Sequence, residues 1–419
     1  MKQLISSIIP HSLYRELVKP YHYAWALGSA IWYGFPAKKL IVVGVTGTKG
    51  KSSVSEMLTT ILTEAGHKTA VAGTIRFAWG EESRPNLYKM TMIGRGFLQR
   101  FLRKAVDTGC THAVIEMTSE GALLYRNQFI DLDALVFTNL QKEHIEAHGS
   151  FAKYFRAKLR IAEGLAASSK RPRAIIGNAD SVGGEAFLAT PVEKRLPFSL
   201  KDAADIELGD GTVSFTYKDV KFALLQPGNF SVLNALAATK AAEFLGVSVE
   251  TSAKALAALS RIPGRAERIE CGQDFTVVVD YAHTTDSLRA IYDAYPGQKK
   301  ICVLGNMGGG RDVWKRPEMG KIADDSCETV FLTDEDPCDE DPVAIVKAMA
   351  AGMKREPQII MDRREAIRAA IAIAKSGDAV LITGKGTDPY ILGANGLRTP
   401  WSDSRIAREE LERLLAERE

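Results

Sequence analysis

A glycine-rich turn at residues 44–53 reads GVTGTKGKSS. Glycines let backbone N–H groups approach phosphate oxygens, a lysine neutralises β/γ-phosphate charge, and a serine hydroxyl suits Mg²⁺. Lys51 and Ser52 are the candidates for the last two tasks, with Gly47, Thr48, Lys49, Gly50 and Ser53 completing the loop. The spacing departs from a strict GxxxxGK[ST], because position 45 is valine. Further along stand Glu116, then Thr118 and Ser119, then the run Glu143, His144, Glu146, His148, and then Tyr154 and Lys158. Glu116 and Ser52 are oxygen donors of the kind Mg²⁺ prefers. Taken singly, His144 and Lys158 read as a surface histidine and a solvated helix lysine.

These residues need a rigid frame. Residues 40–45 are an apolar, β-branched run, which predicts a buried parallel strand. The stripe Val54, Met57, Leu58, Ile61 and Leu62 has helical spacing. Strand, glycine loop and helix together are the context a phosphate-binding loop requires. Residues 113–117 and 134–138 predict two more strands, each ending in polar residues where an open α/β sheet places its site. Residues 275–280, 300–304, 329–332, 358–361 and 379–383 alternate with helical patterns and predict a second doubly wound domain. Residues 203–225 alternate like antiparallel strands and read as an excursion from the central domain. Residues 404–419 read as a charged helix. The expected fold is α/β: a P-loop ATP-binding domain with a mostly parallel sheet, plus a C-terminal Rossmann-like α/β domain. The expected division is 1–38, 39–265 and 266–419.

Composition narrows the class. The chain has 419 residues, 46% hydrophobic and 25% charged, which suits two or three globular domains. Its net charge of +3, from 54 basic and 51 acidic residues, gives no general case for nucleic acid. Five scattered cysteines without a CxxC pair predict reduced thiols, and neither a zinc ribbon nor a disulfide framework. Residues 1–10 lack the pattern of a cleavable signal. Residues 21–35, YHYAWALGSAIWYGF, carry no formal charge and are too short to span a bilayer. They read either as a helix packed on the protein or as an interfacial anchor, with Trp25, Trp32, Tyr21 and Tyr33 at headgroup level and Lys2, Arg15, Lys19, Lys38 and Lys39 nearby. The expected location is cytoplasmic, with membrane association attached to the second reading; a monomer is the default.

The ordered set GVTGTKGKSS, EMTSEG, FTNLQKEHIEAHG, YFRAK, PGNFSVLNALAA, PGRAE, VVVDYAHTTDSL, GNMGGGRDVWKRPEMG, TDEDPCDEDP, DRREAI and TGKGTDPY resembles the Mur ligases, closest to the UDP-N-acetylmuramoyl-tripeptide synthetases. The resemblance runs from about residue 40 onward. It implies ATP-dependent activation of a carboxylate as an acyl phosphate, which an amino acid then attacks to form an amide. It implies two Mg²⁺ sites, with Ser52, Glu116, His144 and a carbamylated Lys158 as metal ligands. Asn234 matches an adenine-pocket asparagine; a polar residue at a helix start is the plainer reading. Arg265 matches an arginine that reaches the phosphates, and Asp280 a carboxylate near the ribose. His283 lies in the linker-proximal motif, and Asp312 and Lys315 match residues that close over nucleotide and acyl phosphate. Lys51, Lys158, Arg265, His283 and Lys315 are thus the catalytic candidates.

Four departures bear on the substrates. The P-loop begins by Gly47, so the family's N-terminal UDP-sugar domain is expected to be missing. The acceptor loop reads KMTMIGR at 89–95, with Arg84, Lys89 and Arg95 as the cations for acceptor carboxylates. The family's Ser-Ser-His becomes Thr118-Ser119-Glu120, the substrate positions there. The amino-acid motif DNPR becomes Glu335-Asp336-Pro337-Cys338, and Asp388 replaces a glutamate that receives the substrate amine. Cys338 cannot pair with a distal carboxylate as arginine does. The acids from Asp334 to Asp341 would favour a cationic side chain such as lysine or ornithine, unless they cap the helix that follows. The acceptor is a small-molecule or lipid-linked peptide. Two other readings stand: a folylpolyglutamate synthetase-like ligase, and a nucleotide-binding subunit that acts only with a partner chain.

Overall fold

The computed structural model describes residues 11–94, 96–143, 145–310 and 312–418. The chain forms two compact units. One comprises Met1–Leu140, Ser150–Ser199 and Leu233–Ala255; the other Gln141–Gly149, Leu200–Val232 and Leu256–Glu419. These units part from a linear break after residue 265 over 141–149, 200–232 and 256–265.

In the first unit, β1 (Ile41–Thr46), β2 (Thr69–Ala72), β3 (Arg76–Trp79), β4 (Glu82–Pro85), β5 (His112–Met117), β6 (Ala134–Phe137), β7 (Ala174–Asn178) and β8 (Lys194–Phe198) form one sheet. Its order is β4-β3-β2-β5-β1-β6-β7-β8. Five neighbouring pairs from β2 to β8 are parallel, and β3 and β4 close one edge antiparallel. Every residue of β5 and β6 is buried, which is why these strands read as unbroken apolar runs. Leu58, Leu62, Phe101, Leu102, Ile161 and Leu165, from helices Lys51–Glu64, Phe97–Asp107 and Phe151–Ala166, are buried as well. The chain leaves β1 toward β2 on one side and reaches β6 on the other, so the C-terminal ends of β5, β1 and β6 meet at a topological switch point.

In the second unit, β9 (Ala204–Gly209), β10 (Thr212–Tyr217) and β11 (Val220–Leu224) make a separate antiparallel sheet. Residues 200–232 cluster with this unit, not with the central one as the strand pattern suggested. The main sheet holds β12 (Glu267–Arg268), β13 (Thr276–Asp280), β14 (Lys300–Leu304), β15 (Thr329–Leu332), β16 (Gln358–Ile359) and β17 (Ala379–Thr383), ordered β12-β13-β17-β14-β15-β16. It is parallel except for β12, matching the expected doubly wound pattern. Buried Leu288, Tyr292, Ile322 and Met349 pack on one face and Ile367, Ile371, Ile406 and Leu411 on the other. Cys302, in the middle of β14, is bonded to Cys327, just before β15. This corrects the expectation of reduced thiols throughout. Parallel neighbours bring the two side chains together across 25 residues, a proximity that sequence spacing does not display.

The N-terminal helix spans His11–Trp32. Its Ser29 and Ala30 are buried, while Trp25 and Trp32 are exposed. No helix among the described residues is long and apolar enough to cross a membrane. The expectation about residues 1–10 lies outside the described residues.

Candidate active site

The glycine turn sits between β1 and the helix Lys51–Glu64. Gly47 has φ 145° and Gly50 φ 82°, conformations that side chains rarely adopt. Both lack room as well: a Cβ on Gly47 would lie 1.9 Å from Thr138 Oγ1, and one on Gly50 2.5 Å from Asn234 Oδ1. The turn is held from outside. Asn139 receives the Lys49 N–H on its side chain (2.9 Å) and the Thr48 N–H on its carbonyl (2.9 Å). Thr138 Oγ1 donates to the Lys49 carbonyl (2.5 Å), and the Thr48 and Tyr154 hydroxyls share a bond of 2.9 Å. Asn139, Thr138 and Tyr154 therefore shape the loop, a role the linear motif did not assign.

The Lys51 ammonium donates to the carbonyls of Gly47 and Thr48, each at 2.9 Å. Lys158 reaches the same Gly47 carbonyl from the helix Phe151–Ala166, at 2.8 Å, and is 2% exposed. Two cations thus converge on one edge of a phosphate-shaped turn. Ser52 and Ser53 are buried in the first helical turn. Asn234 lies in the second turn of the helix Asn229–Phe244, so it is no N-terminal cap; its side chain faces Gly50.

Glu116, near the end of β5, is 1% exposed. It accepts from the Thr74 N–H (2.8 Å) and hydroxyl (2.9 Å). A Cβ on Gly73 would lie 2.2 Å from its Oε1, so the glycine makes room for the carboxylate. Thr74 is a site residue that no sequence signal marked. Thr118 caps the short helix Ser119–Leu123 by accepting from the Gly121 N–H, and its own N–H meets Met92 Sδ at 3.0 Å. Ser119 is buried beside it. Arg84, one of the acceptor-loop cations, is paired with Glu82 at 2.6 Å. Arg95 and His144 lie outside the described residues. No cluster of three or more His, Cys, Asp or Glu in a metal-holding arrangement occurs among the described residues.

The second unit gathers the other candidates. Asp280 ends β13, accepting from the N–H groups of Ala266 (2.6 Å) and Ala282 (2.7 Å). Arg265 lies 4.7 Å from the Tyr281 ring centroid, after Gly264, whose Cβ would lie 2.6 Å from the Thr387 nitrogen. His283 Nδ1 faces the Tyr281 carbonyl (2.6 Å), and Nε2 faces Glu143 Oε1 (3.0 Å). Both ring nitrogens thus meet oxygen atoms, which fixes the orientation of the imidazole. Lys315 donates to the His283 carbonyl at 2.9 Å. Asp312 has φ 43°. Burial, then its hydrogen bond with Glu146, push the Asp312 carboxyl above the ordinary range. Burial opposes the charge on Glu146, yet the bond from Asp312 and the Lys315 charge hold its pKa below normal.

The acidic run is largely engaged locally. Asp336 pairs with the buried Lys385 (2.8 Å) and accepts from the Leu392 N–H (2.7 Å). Asp339 accepts from the Asn395 N–H, Glu340 pairs with Arg316, and Asp341 caps the helix Pro342–Ala350. Asp388 lies 3.6 Å from Lys385. Glu335 differs: it is 4% exposed, and among the described residues no hydrogen-bond partner reaches its Oε2. Burial raises its pKa to about 7. Cys338, at φ 54°, turns the chain there. Lys385 and Arg363 are structural cations that the sequence reading did not single out.

A phosphate-binding turn on a parallel sheet and a Rossmann-like second unit define a nucleotide-using enzyme. The sequence matches the Mur ligase middle domain over residues 45–242 and the Mur ligase glutamate ligase domain over 264–386. It is 36% identical over 404 residues to a UDP-N-acetylmuramoyl-L-alanyl-D-glutamate–2,6-diaminopimelate ligase of Syntrophomonas wolfei, covering 93% of this chain and 81% of that one. It is 37% identical to a UDP-N-acetylmuramyl-tripeptide synthetase of a Roseiflexus strain, covering 92% and 81%. A solved diaminopimelate ligase aligns with a TM-score of 0.62 at 29% identity, covering 91% and 79%. A folylpolyglutamate synthase of Mycobacterium tuberculosis aligns at 0.69 with 17% identity over 87% and 93%, a likeness of fold. The chain belongs to the Mur ligase family, and it is an ATP-dependent, amide-forming ligase.

Proposed function

We propose that this ligase adds the third residue of a peptidoglycan-type stem peptide. The γ-phosphoryl of ATP passes to an acceptor carboxylate, giving ADP and an acyl phosphate; the amino group of an amino acid attacks the acyl carbon, and phosphate leaves. The single observation that carries this reading is the loop itself, with Lys51 and Lys158 converging on the Gly47 carbonyl beside a buried Glu116. Charge that spreads over phosphoryl oxygens is stabilised by such preplaced cations and N–H groups. Ser53 and Asn234 complete the nucleotide pocket of the first unit. Within the second unit, Asp280 is assigned to the ribose and Arg265, His283 and Lys315 to the catalytic roles, with Asp312 positioning Lys315 through the Glu146 pair.

The donor set of Ser52 and Glu116 suits Mg²⁺, and Gly73 leaves the Glu116 carboxylate its place. Bound there, Mg²⁺ would neutralise phosphate charge. Lys158 as a carbamate would supply anionic oxygens in the same place, with His144 as a further ligand at a second Mg²⁺.

The amino acid is proposed to be cationic, lysine or ornithine in preference to diaminopimelate. Cys338 offers no cation for a distal carboxylate, and among the described residues no hydrogen-bond partner reaches Glu335 Oε2. The acceptor is a muramoyl dipeptide, UDP-linked or lipid-linked, bound past Thr118, Ser119 and Arg95. The setting is the cytoplasm.

The test is phosphate release from ATP against a matrix of acceptors (UDP-muramoyl dipeptide, lipid-linked dipeptide, folate) and amino acids. A muramoyl acceptor with lysine or ornithine is expected to stimulate most. Stimulation by folate alone would overturn the acceptor, and equal or better turnover with diaminopimelate would overturn the amino acid.

A further inference from the structure

The helix His11–Trp32 presents an apolar stripe that the described residues of its unit leave uncovered. Trp32 is 83% exposed, Ile31 61%, Tyr21 51% and Trp25 46%. Positions 21, 25, 28 and 32 recur at helical spacing on one face. Gly28 has nothing within 4 Å of where its Cβ would be, and it notches the stripe into a groove of about 530 Å³ between Trp25 and Trp32. The helix is already docked by its other side. Ser29 and Ala30 are buried, and Ser29 lies against Gly96 so closely that a Cβ there would come within 2.7 Å. The exposed aromatics are therefore surplus to the packing that holds the helix.

Charge selects the occupant. No acidic residue occurs between Glu16 and Glu56, although the chain as a whole carries 51. Lys19 flanks the stripe at one end, and the exposed Lys38 and Lys39 follow it at the other. Tryptophan and tyrosine with an apolar body and a polar edge settle at headgroup depth, and lysines beside them meet lipid phosphates. The helix is not apolar enough to cross.

We propose that Tyr21, Trp25, Ile31 and Trp32 insert into the headgroup layer of a bilayer that carries anionic lipid, with Lys19, Lys38 and Lys39 on the phosphates. Because Ser29 packs on Gly96, beside Arg95 of the acceptor loop, docking holds that loop at the membrane surface.

The test floats the full chain with vesicles of phosphatidylcholine, alone or mixed with phosphatidylglycerol. Co-flotation with the mixed vesicles, weakened by salt and accompanied by a blue shift in tryptophan emission, is the expected result. Trp25→Ala with Trp32→Ala should abolish it. Lys38→Glu or Lys39→Glu, with the aromatics untouched, should each weaken binding at least about fivefold. Melting temperature and basal ATP turnover of these surface variants should match the parent. Absence of flotation with anionic vesicles, or flotation indifferent to both tryptophans, would overturn the proposal. So would a concentration-dependent dimer, lost in Trp32→Ala, from a chain that ignores vesicles; the stripe would then join two copies.

Discussion

Lys158 is almost fully buried, with its nitrogen on the Gly47 carbonyl. A lysine at an anion-binding turn serves either as a cation or, carbamylated, as a metal-ligating anion. Lys158→Ala is expected to lower amide formation by about a hundredfold or more, the scale for loss of one preplaced electrostatic group. A short-chain carboxylic acid should restore part of that turnover if the carbamate reading holds; turnover indifferent to the substitution would sink both roles. Glu335 makes a pH prediction. Its pKa rises from the ordinary 4.5 to about 7 because burial disfavours the charge. The folded chain therefore keeps a proton that the unfolded chain releases first, so this group costs stability as pH climbs from about 4.5 to about 7, and the loss is constant above that. The full effect is of the order of 3 kcal/mol. Glu335→Gln should melt higher than the parent at pH 8 and similarly at pH 4.5; a difference independent of pH would refute the account.

At the scale of elements, the strands were legible because both faces of a parallel sheet are covered, which leaves unbroken apolar runs such as residues 113–117 and 379–383. The P-loop was legible because its glycines are local necessities: Gly47 and Gly50 both have positive φ. What surrounds the loop was not. Thr74 and Asn139 act through hydrogen bonds across 42 and 90 residues, and no spacing rule reports such distances. The acidic run was legible as charge but not as pairing, since Lys385, Asn395 and Arg316 are brought to it only by folding. Arg363 extends the point. From the helix Arg363–Ala372 it forms a double hydrogen bond with Asp403 at 2.8 and 2.7 Å, both side chains fully buried. Arg363→Ala would strand a buried carboxylate, and we expect a loss of about 3–5 kcal/mol in denaturant unfolding. A change under about 1 kcal/mol would show that the pair holds nothing.

For the whole molecule, length and composition allowed two or three domains, and the motifs reduced this to a nucleotide unit and a Rossmann-like unit. The near-neutral net charge concealed local asymmetry: an acid-free stretch from residue 17 to 55 and an acidic run near 334–341. The exposed aromatic helix is where that asymmetry acquires a use. Its apolar residues read either as a packed helix or as an interfacial anchor, and the structure places Ser29 and Ala30 inward and Trp25 and Trp32 outward. By itself, the sequence determined the family, the glycine turn and the buried strands that carry unbroken apolar runs, because each rests on residue type and short-range periodicity. Only the tertiary structure decided that residues 200–232 cluster with the second unit, that Cys302 meets Cys327, which acid oxygen lacks a partner among the described residues and which aromatics of the first helix are exposed. Those are outcomes of long-range packing, where side chains far apart in the chain compete for the same buried volume.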